Sequence, residues 1–272
     1  MASDAGITSK IRVESLNKSF NVDGHRELVL DDIQLTVGEG EFVSIIGPSG
    51  CGKSTLLNIV AGLDSPDSGT VTFEGSPGVS ALGRVGYMQQ KDLLLPWRTV
   101  LDNAILGLEL HGMPRRQART RALELTEFFG LKGYESQYPY ALSGGMKQRA
   151  AFLRTMLMDQ EIVLLDEPFG ALDALTRVQM QEWLLQLWES LRKTIVLITH
   201  DMDEAILLSD RVYVLTHRPG RVTMVLDVDL PRPRSYEQVT EPHFARLKSR
   251  LLEPLREKKR EVAQSLAGKE GL

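Results

Sequence analysis

The sequence predicts an α/β fold: a sheet covered on both faces, with a helical lobe inserted into it. Three observations predict it. The runs FVSII (Phe42–Ile46), IVLLD (Ile162–Asp166) and TIVLIT (Thr194–Thr199) are nearly all apolar, as central strands buried on both sides must be. Helical patterns lie between them. From about Lys91 to Tyr140 the strand signal vanishes and the pattern turns helical.

In chain order, IRVESL (Ile11–Leu16) opens the β-rich runs, FVSII follows, and LLNIVAGL behind it reads as a helix. TVTFE (Thr70–Glu74) is the next strand. Within the lobe, PRRQARTRALELTEFFG starts on Pro114, a favoured first-turn residue, and stops on Gly130. In TRVQMQEWLLQLWESLRK, Met180, Leu184, Leu187, Trp188 and Leu191 recur at steps of three and four, which predicts an amphipathic helix with its tryptophans in the core. RVYVLT (Arg211–Thr216) is the last strand, and from about Tyr236 the chain is again helical and highly charged.

Composition excludes several classes. At 272 residues, with 42% hydrophobic and 25% charged residues, the chain is an ordinary globular one with a sizeable core. No apolar run approaches the roughly 18 residues of a membrane span, and MASDAGITSK lacks a signal-peptide layout, so a soluble, cytosolic chain is expected. The single cysteine rules out an internal disulfide, and five scattered histidines argue against zinc. The net charge is -4, yet the stretch from Arg232 to Leu272 holds ten basic and six acidic residues, leaving -8 on the rest. Alternating signs at Glu257, Lys258, Lys259, Arg260 and Glu261 favour a solvated helix there over a nucleic-acid or membrane patch.

The run GPSGCGKST fits G-x-x-x-x-G-K-[S/T] between a strand and a helix, the context that pattern requires. Gly47, Pro48, Ser49, Gly50, Cys51 and Gly52 make a loop poor in side chains, whose N–H groups turn inward as an anion nest at the positive end of a helix. Lys53 is placed to reach β- and γ-phosphates and the Ser54 hydroxyl to ligate magnesium, with Thr55 completing the run. Cys51 is filler in a free position, its thiol expected to be activated by the helix end and Lys53.

IVLLDEP, Ile162 to Pro168, is an apolar strand ending in two carboxylates. Asp166 would hold the magnesium, while Glu167, aimed elsewhere by strand alternation, would polarise an attacking water as general base. A second anion cradle follows from LSGGMKQR: Ser143 is a good N-cap, and Gly144 and Gly145 leave backbone amides open ahead of AAFLRTML. One ATP does not need two cradles in one subunit.

These motifs, in this order, resemble the nucleotide-binding subunits of ATP-binding cassette (ABC) transporters, whose signature LSGGQ stands here as LSGGM. The resemblance runs to about Asp229. It implies a P-loop NTPase (RecA-like) core with an antiparallel β subdomain and an inserted α-helical subdomain. It also implies an ATPase domain over 1–231, the helical subdomain near 91–160, and a helical tail over 232–272. Two copies would face head to tail, each ATP lying between one phosphate loop and the other copy's signature helix.

By position, Phe20 resembles the aromatic that stacks on adenine, a core aromatic being the alternative. Gln90, six before Pro96, resembles the glutamine that contacts magnesium and the attacking water. Asp173 in GALD resembles the residue that crosses the dimer interface, and His200 resembles the switch histidine that contacts the γ-phosphate and Glu167. For Leu94, Leu95, Pro96 and Trp97, docking of a permease helix and filling of the lobe's core both stay open.

Finer likeness, in LLPW, DEPFGALDALTR and THRPGRV followed by DLPRPR, points to importers of nitrate, sulfonates, taurine or pyrimidine precursors of thiamine. The implied cofactors are ATP and Mg2+. The implied partners are permease subunits and an external solute-binding protein, with no nucleic acid, at the cytoplasmic face of the inner membrane. A soluble cassette ATPase acting on nucleic acid or ribosomes would carry a long coiled-coil insertion or tandem cassettes. A GTPase would carry N-K-x-D, which is missing here.

Overall fold

The computed structural model describes residues 9–74, 76, 81–170 and 172–267, and side chains as far as Pro254. The leader-free reading of residues 1–8 and the alternating charges at 257–261 fall outside that description. Two compact units divide the chain: one takes the segments 1–79 and 197–272, the other 80–196.

The first unit opens with β1 (Ser9–Val22) and β2 (His25–Gly38), antiparallel neighbours, and β4 (Ser68–Phe73) pairs antiparallel on the other side of β1. This is the antiparallel β subdomain. Its second layer holds β3 (Phe42–Ile46), β8 (Arg211–Leu215) and β9 (Val222–Asp227). β3 is parallel to β8, and β9 folds back antiparallel on β8. Every residue of β3 is buried, which is why it reads as an unbroken apolar run. Tyr213 of β8 joins the layers: its hydroxyl donates to Thr36 O at 2.9 Å and accepts from Thr36 N at 3.1 Å. The helices of this unit are α1 (Lys53–Val60), α7 (Met202–Leu208) and α8 (Pro242–Ala267).

The second unit carries β5 (Val85–Met88) parallel to β6 (Ile162–Asp166), with β7 (Thr194–Thr199) next to β6, the chain leaving this unit within β7. Its helices are α2 (Val100–Ala104), α3 (Leu106–Leu110), α4 (Arg115–Thr126), α5 (Gly144–Leu157) and α6 (Ala174–Leu191). α4 begins one residue after Pro114, which stands at its N-cap. On α6 the predicted stripe holds through Trp188 but not at Leu191, which is 46% exposed, because the helix ends there on a left-handed Arg192. Trp183 packs edge-to-face on Phe129 and Phe152, with centroids 5.2 and 5.3 Å away, and its indole N–H donates to Phe128 O. Among the described residues, no helix is long and apolar enough to cross a membrane.

Candidate active site

In the first unit, β3 delivers the chain to Gly47, and α1 starts six residues later at Lys53. The N-cap Gly52 sits at φ 103° and provides no side-chain cap, so the first-turn N–H groups of α1 are left for an anion. A Cβ at Gly52 would lie 2.6 Å from Leu30 Cδ2, so only glycine fits. Lys53 is buried, and its ammonium donates to Gly47 O at 2.8 Å and Pro48 O at 3.1 Å, bracing the loop from inside. Ser49, Gly50 and Ser54 are exposed, while Thr55 is half-buried.

Cys51 corrects its expectation. The residue is 1% exposed, and burial pushes its thiol pKa up against the smaller lowering by Lys53. Desolvation wins because the thiol is packed inside, within reach of Gly47, and not displayed to solvent at the helix end. Phe20 is 38% exposed at the end of β1, which removes the core-aromatic alternative, and the Lys18 ammonium lies 4.9 Å from its ring centroid. His200 is exposed, directly after β7. The next residue, Asp201, donates its N–H to Thr199 Oγ1 at 3.0 Å and caps α7 by accepting from Asp203 N and Glu204 N.

In the second unit, Asp166 is the buried last residue of β6. Glu167 lies beyond the strand at φ 45°, so a left-handed turn aims it, not strand alternation as the sequence reading has it. The Gln90 amide donates to Glu167 Oε2 at 3.2 Å, bringing those two predicted residues together. Asp166 also raises the pKa of the neighbouring Tyr87 phenol, after the larger effect of burial.

Ser143 caps α5, its hydroxyl accepting from Met146 N at 3.3 Å. Gly144 is exposed. A Cβ at Gly145 would meet Thr176 Cγ2 of α6 at 2.7 Å, so a side chain there would have to displace that methyl. Asp173 caps α6, accepting from Thr176 N at 3.0 Å, and the Thr176 backbone N–H and hydroxyl hold its carboxyl below the usual range.

The loop after Gln90 displays Trp97 at 72% exposure, which rules out a core role for it, whereas Leu94 is buried. Two side chains that shape this loop escape sequence reading. Buried Asn103 accepts from Leu95 N at 2.7 Å and donates towards the carbonyls of Leu95, Arg98 and Thr99. Arg154 of α5 donates to Asp92 O at 2.5 Å and Leu93 O at 2.8 Å. The only signal for Arg154 is a charge within the apolar run AAFLRTML.

Residues 30–170 match the family described as ABC transporter. An uncharacterised ABC transporter ATP-binding protein of Methanocaldococcus jannaschii is 46% identical over 257 residues, 94% of each chain. The aliphatic sulfonates import ATP-binding protein of Bacillus licheniformis is 44% identical over 86% of this chain and 90% of its own. Relatives named for import of formylaminopyrimidine, nitrate and taurine stand at 45%, 42% and 40% identity. Among solved structures, a dimeric ATP-binding cassette in a post-hydrolysis state with ADP and Pi aligns with a TM-score of 0.70. It is 31% identical and covers 81% of this chain and 100% of its own.

Proposed function

The chain belongs to the ABC transporter family as an ATP-binding, ATP-hydrolysing subunit, and we propose that it powers import of a small solute through a separate membrane permease. The solute class is nitrate, a sulfonate, taurine or a pyrimidine precursor of thiamine, supported by the import names of relatives 40–45% identical. An external solute-binding protein delivers it, and the subunit works peripherally at the cytoplasmic face of the membrane.

The bond from Gln90 to Glu167 carries the residue-level reading. It holds a carboxylate at a strained turn, beside a buried Asp166, with the amide of a loop that also displays Trp97. Glu167 takes the proton of the attacking water, and Gln90 orients that water. The nest from Gly47 to Thr55 binds the phosphates and Lys53 neutralises their charge. Phe20 stacks on adenine, and His200 contacts the γ-phosphate. Ser143, Gly144 and Gly145 of a second copy close over the same nucleotide, with that copy's Asp173 at the interface.

Ser54, Gln90 and Asp166 offer oxygen donors with one carboxylate, a set that fits Mg2+, which keeps waters and leans on substrate phosphates. Magnesium bound there would neutralise phosphate charge. Closure of the copies and reopening after hydrolysis would drive the permease, with Leu93 and Trp97 presented to it.

The test is ATP hydrolysis by the subunit co-purified with its permease in vesicles, with each solute class offered in turn. Stimulation by the permease, and ATP-dependent uptake of one class, are expected. Stimulation by ribosomes or nucleic acid instead would overturn the reading in favour of a soluble machine.

A further inference from the structure

We propose that the C-terminal segment from Arg232 to Leu251 is a clamp on α7 that sets the position of His200, with Arg234 and Lys248 as its positioning residues. The proposal rests on the reading of His200 as the histidine that contacts the γ-phosphate.

His200 stands between the end of β7 and the Asp201 cap of α7, so its backbone is fixed by the buried strand on one side and by α7 on the other. α7 has seven residues, too few to hold itself helical, and its position comes from what packs on it: β3 and β8 on one side, the tail on the other. Its last carbonyls would be orphans. One guanidinium collects them: Arg234 Nη1 donates to Ile206 O at 3.1 Å, Leu207 O at 3.2 Å and Ser209 O at 2.7 Å. The Nη2 group of Arg234 donates to Val228 O and Leu230 O, tying the same end to the segment that follows β9 into the tail. Arg232 adds Leu208 O at 3.0 Å and the Asp210 carboxylate at 2.7 Å. A cation at a helix C-terminus is favourable, and the planar fork serves several carbonyls as an ammonium cannot.

The other end of α7 is held from α8. Lys248 reaches the Asp203 carboxylate at 2.7 Å, three residues after His200. Beside it Phe244, Leu247 and Leu251, at helical spacing, form the buried face of α8. Three of the tail's basic residues are therefore spent on α7 and the turn that ends it, one at the histidine end and two at the far end.

The full-length chain is made as Arg234→Lys, Lys248→Met and Lys248→Arg, with His200→Gln to assign the ring signals of His200 by NMR. Arg234→Lys is expected to lower kcat for ATP about tenfold with KM within about twofold, because the phosphate loop is untouched. Lys248→Met, which removes one half-exposed ion pair, is expected to lower kcat about threefold, and Lys248→Arg to restore it. Both damaging variants should shift the His200 ring signals and leave those of His25 and His111 in place. Unchanged His200 signals, or shifted signals with unchanged kcat, overturn the clamp, and so does a rise in KM equal to the fall in kcat. Should Arg234→Lys fail to fold, the Lys248 pair decides. Full activity of His200→Gln would instead remove the role given to the histidine, a failure distinct from that of the clamp.

Discussion

Lys53 and Glu167 are expected to fail differently when replaced. Lys53→Ala removes the ammonium that braces Gly47 O and Pro48 O, so nucleotide affinity itself should fall, measured by equilibrium binding of ATP. Glu167→Gln keeps the side chain's size and should bind ATP normally while phosphate release drops by about 100-fold or more, the scale of a lost general base. Normal turnover in that variant would remove Glu167 from its role. Cys51 gives a prediction of opposite sign to the one its motif position suggests. With its pKa raised by burial, the thiol should stay unmodified by iodoacetamide at pH 8 in the native protein and react once unfolded. The sign for stability follows: a raised folded pKa means that the native state holds the proton more tightly. The Cys51 contribution is therefore complete below the ordinary thiol range and lost as pH climbs through the folded value. Sequence neighbours alone suggest activation because they show the charge of Lys53 and hide the desolvation.

At the scale of elements, the phosphate loop depends on a conformation that side chains resist. Gly52→Ala should cost roughly 1–3 kcal/mol and lower the thermal midpoint, since the added methyl meets Leu30 at a backbone φ of 103°. An unchanged melting curve would mean the loop can shift at no cost. Legibility of the elements follows burial. β3, β6 and β7 are buried along their whole length and read directly as apolar runs, while β8, buried but for Arg211, reads as a β-rich run. The sequence does not mark β2, β5 and β9, and each of them stands at the end of a strand order. Such strands mix exposed and buried positions, as the four exposed residues that open β2 do, so no clean period marks them. The sequence leaves the loop bearing Trp97 open between two roles for the same kind of reason. Its exposure is set by Asn103 and Arg154, which lie outside it in the chain.

At the scale of the whole molecule, the reading requires two copies. Purified Glu167→Gln with magnesium and ATP should run as a dimer by light scattering and as a monomer without nucleotide, because only ATP joins the two cradles. A lone subunit under both conditions would sink the head-to-tail arrangement. The amino-acid sequence by itself determined the chemistry: the anion nest, the Asp166–Glu167 pair and the second cradle each depend on residue types within a few positions of one another. It also determined the fold class, because the periods of central strands and long helices are local. Tertiary structure alone decided the left-handed aim of Glu167 and its Gln90 partner, the burial of Cys51, the display of Trp97 and the use of the tail's arginines on α7. The physical reason is common to all four. Burial and hydrogen-bond partners are set by the packed fold, many of them by segments distant in the chain, and residue types alone do not carry that information.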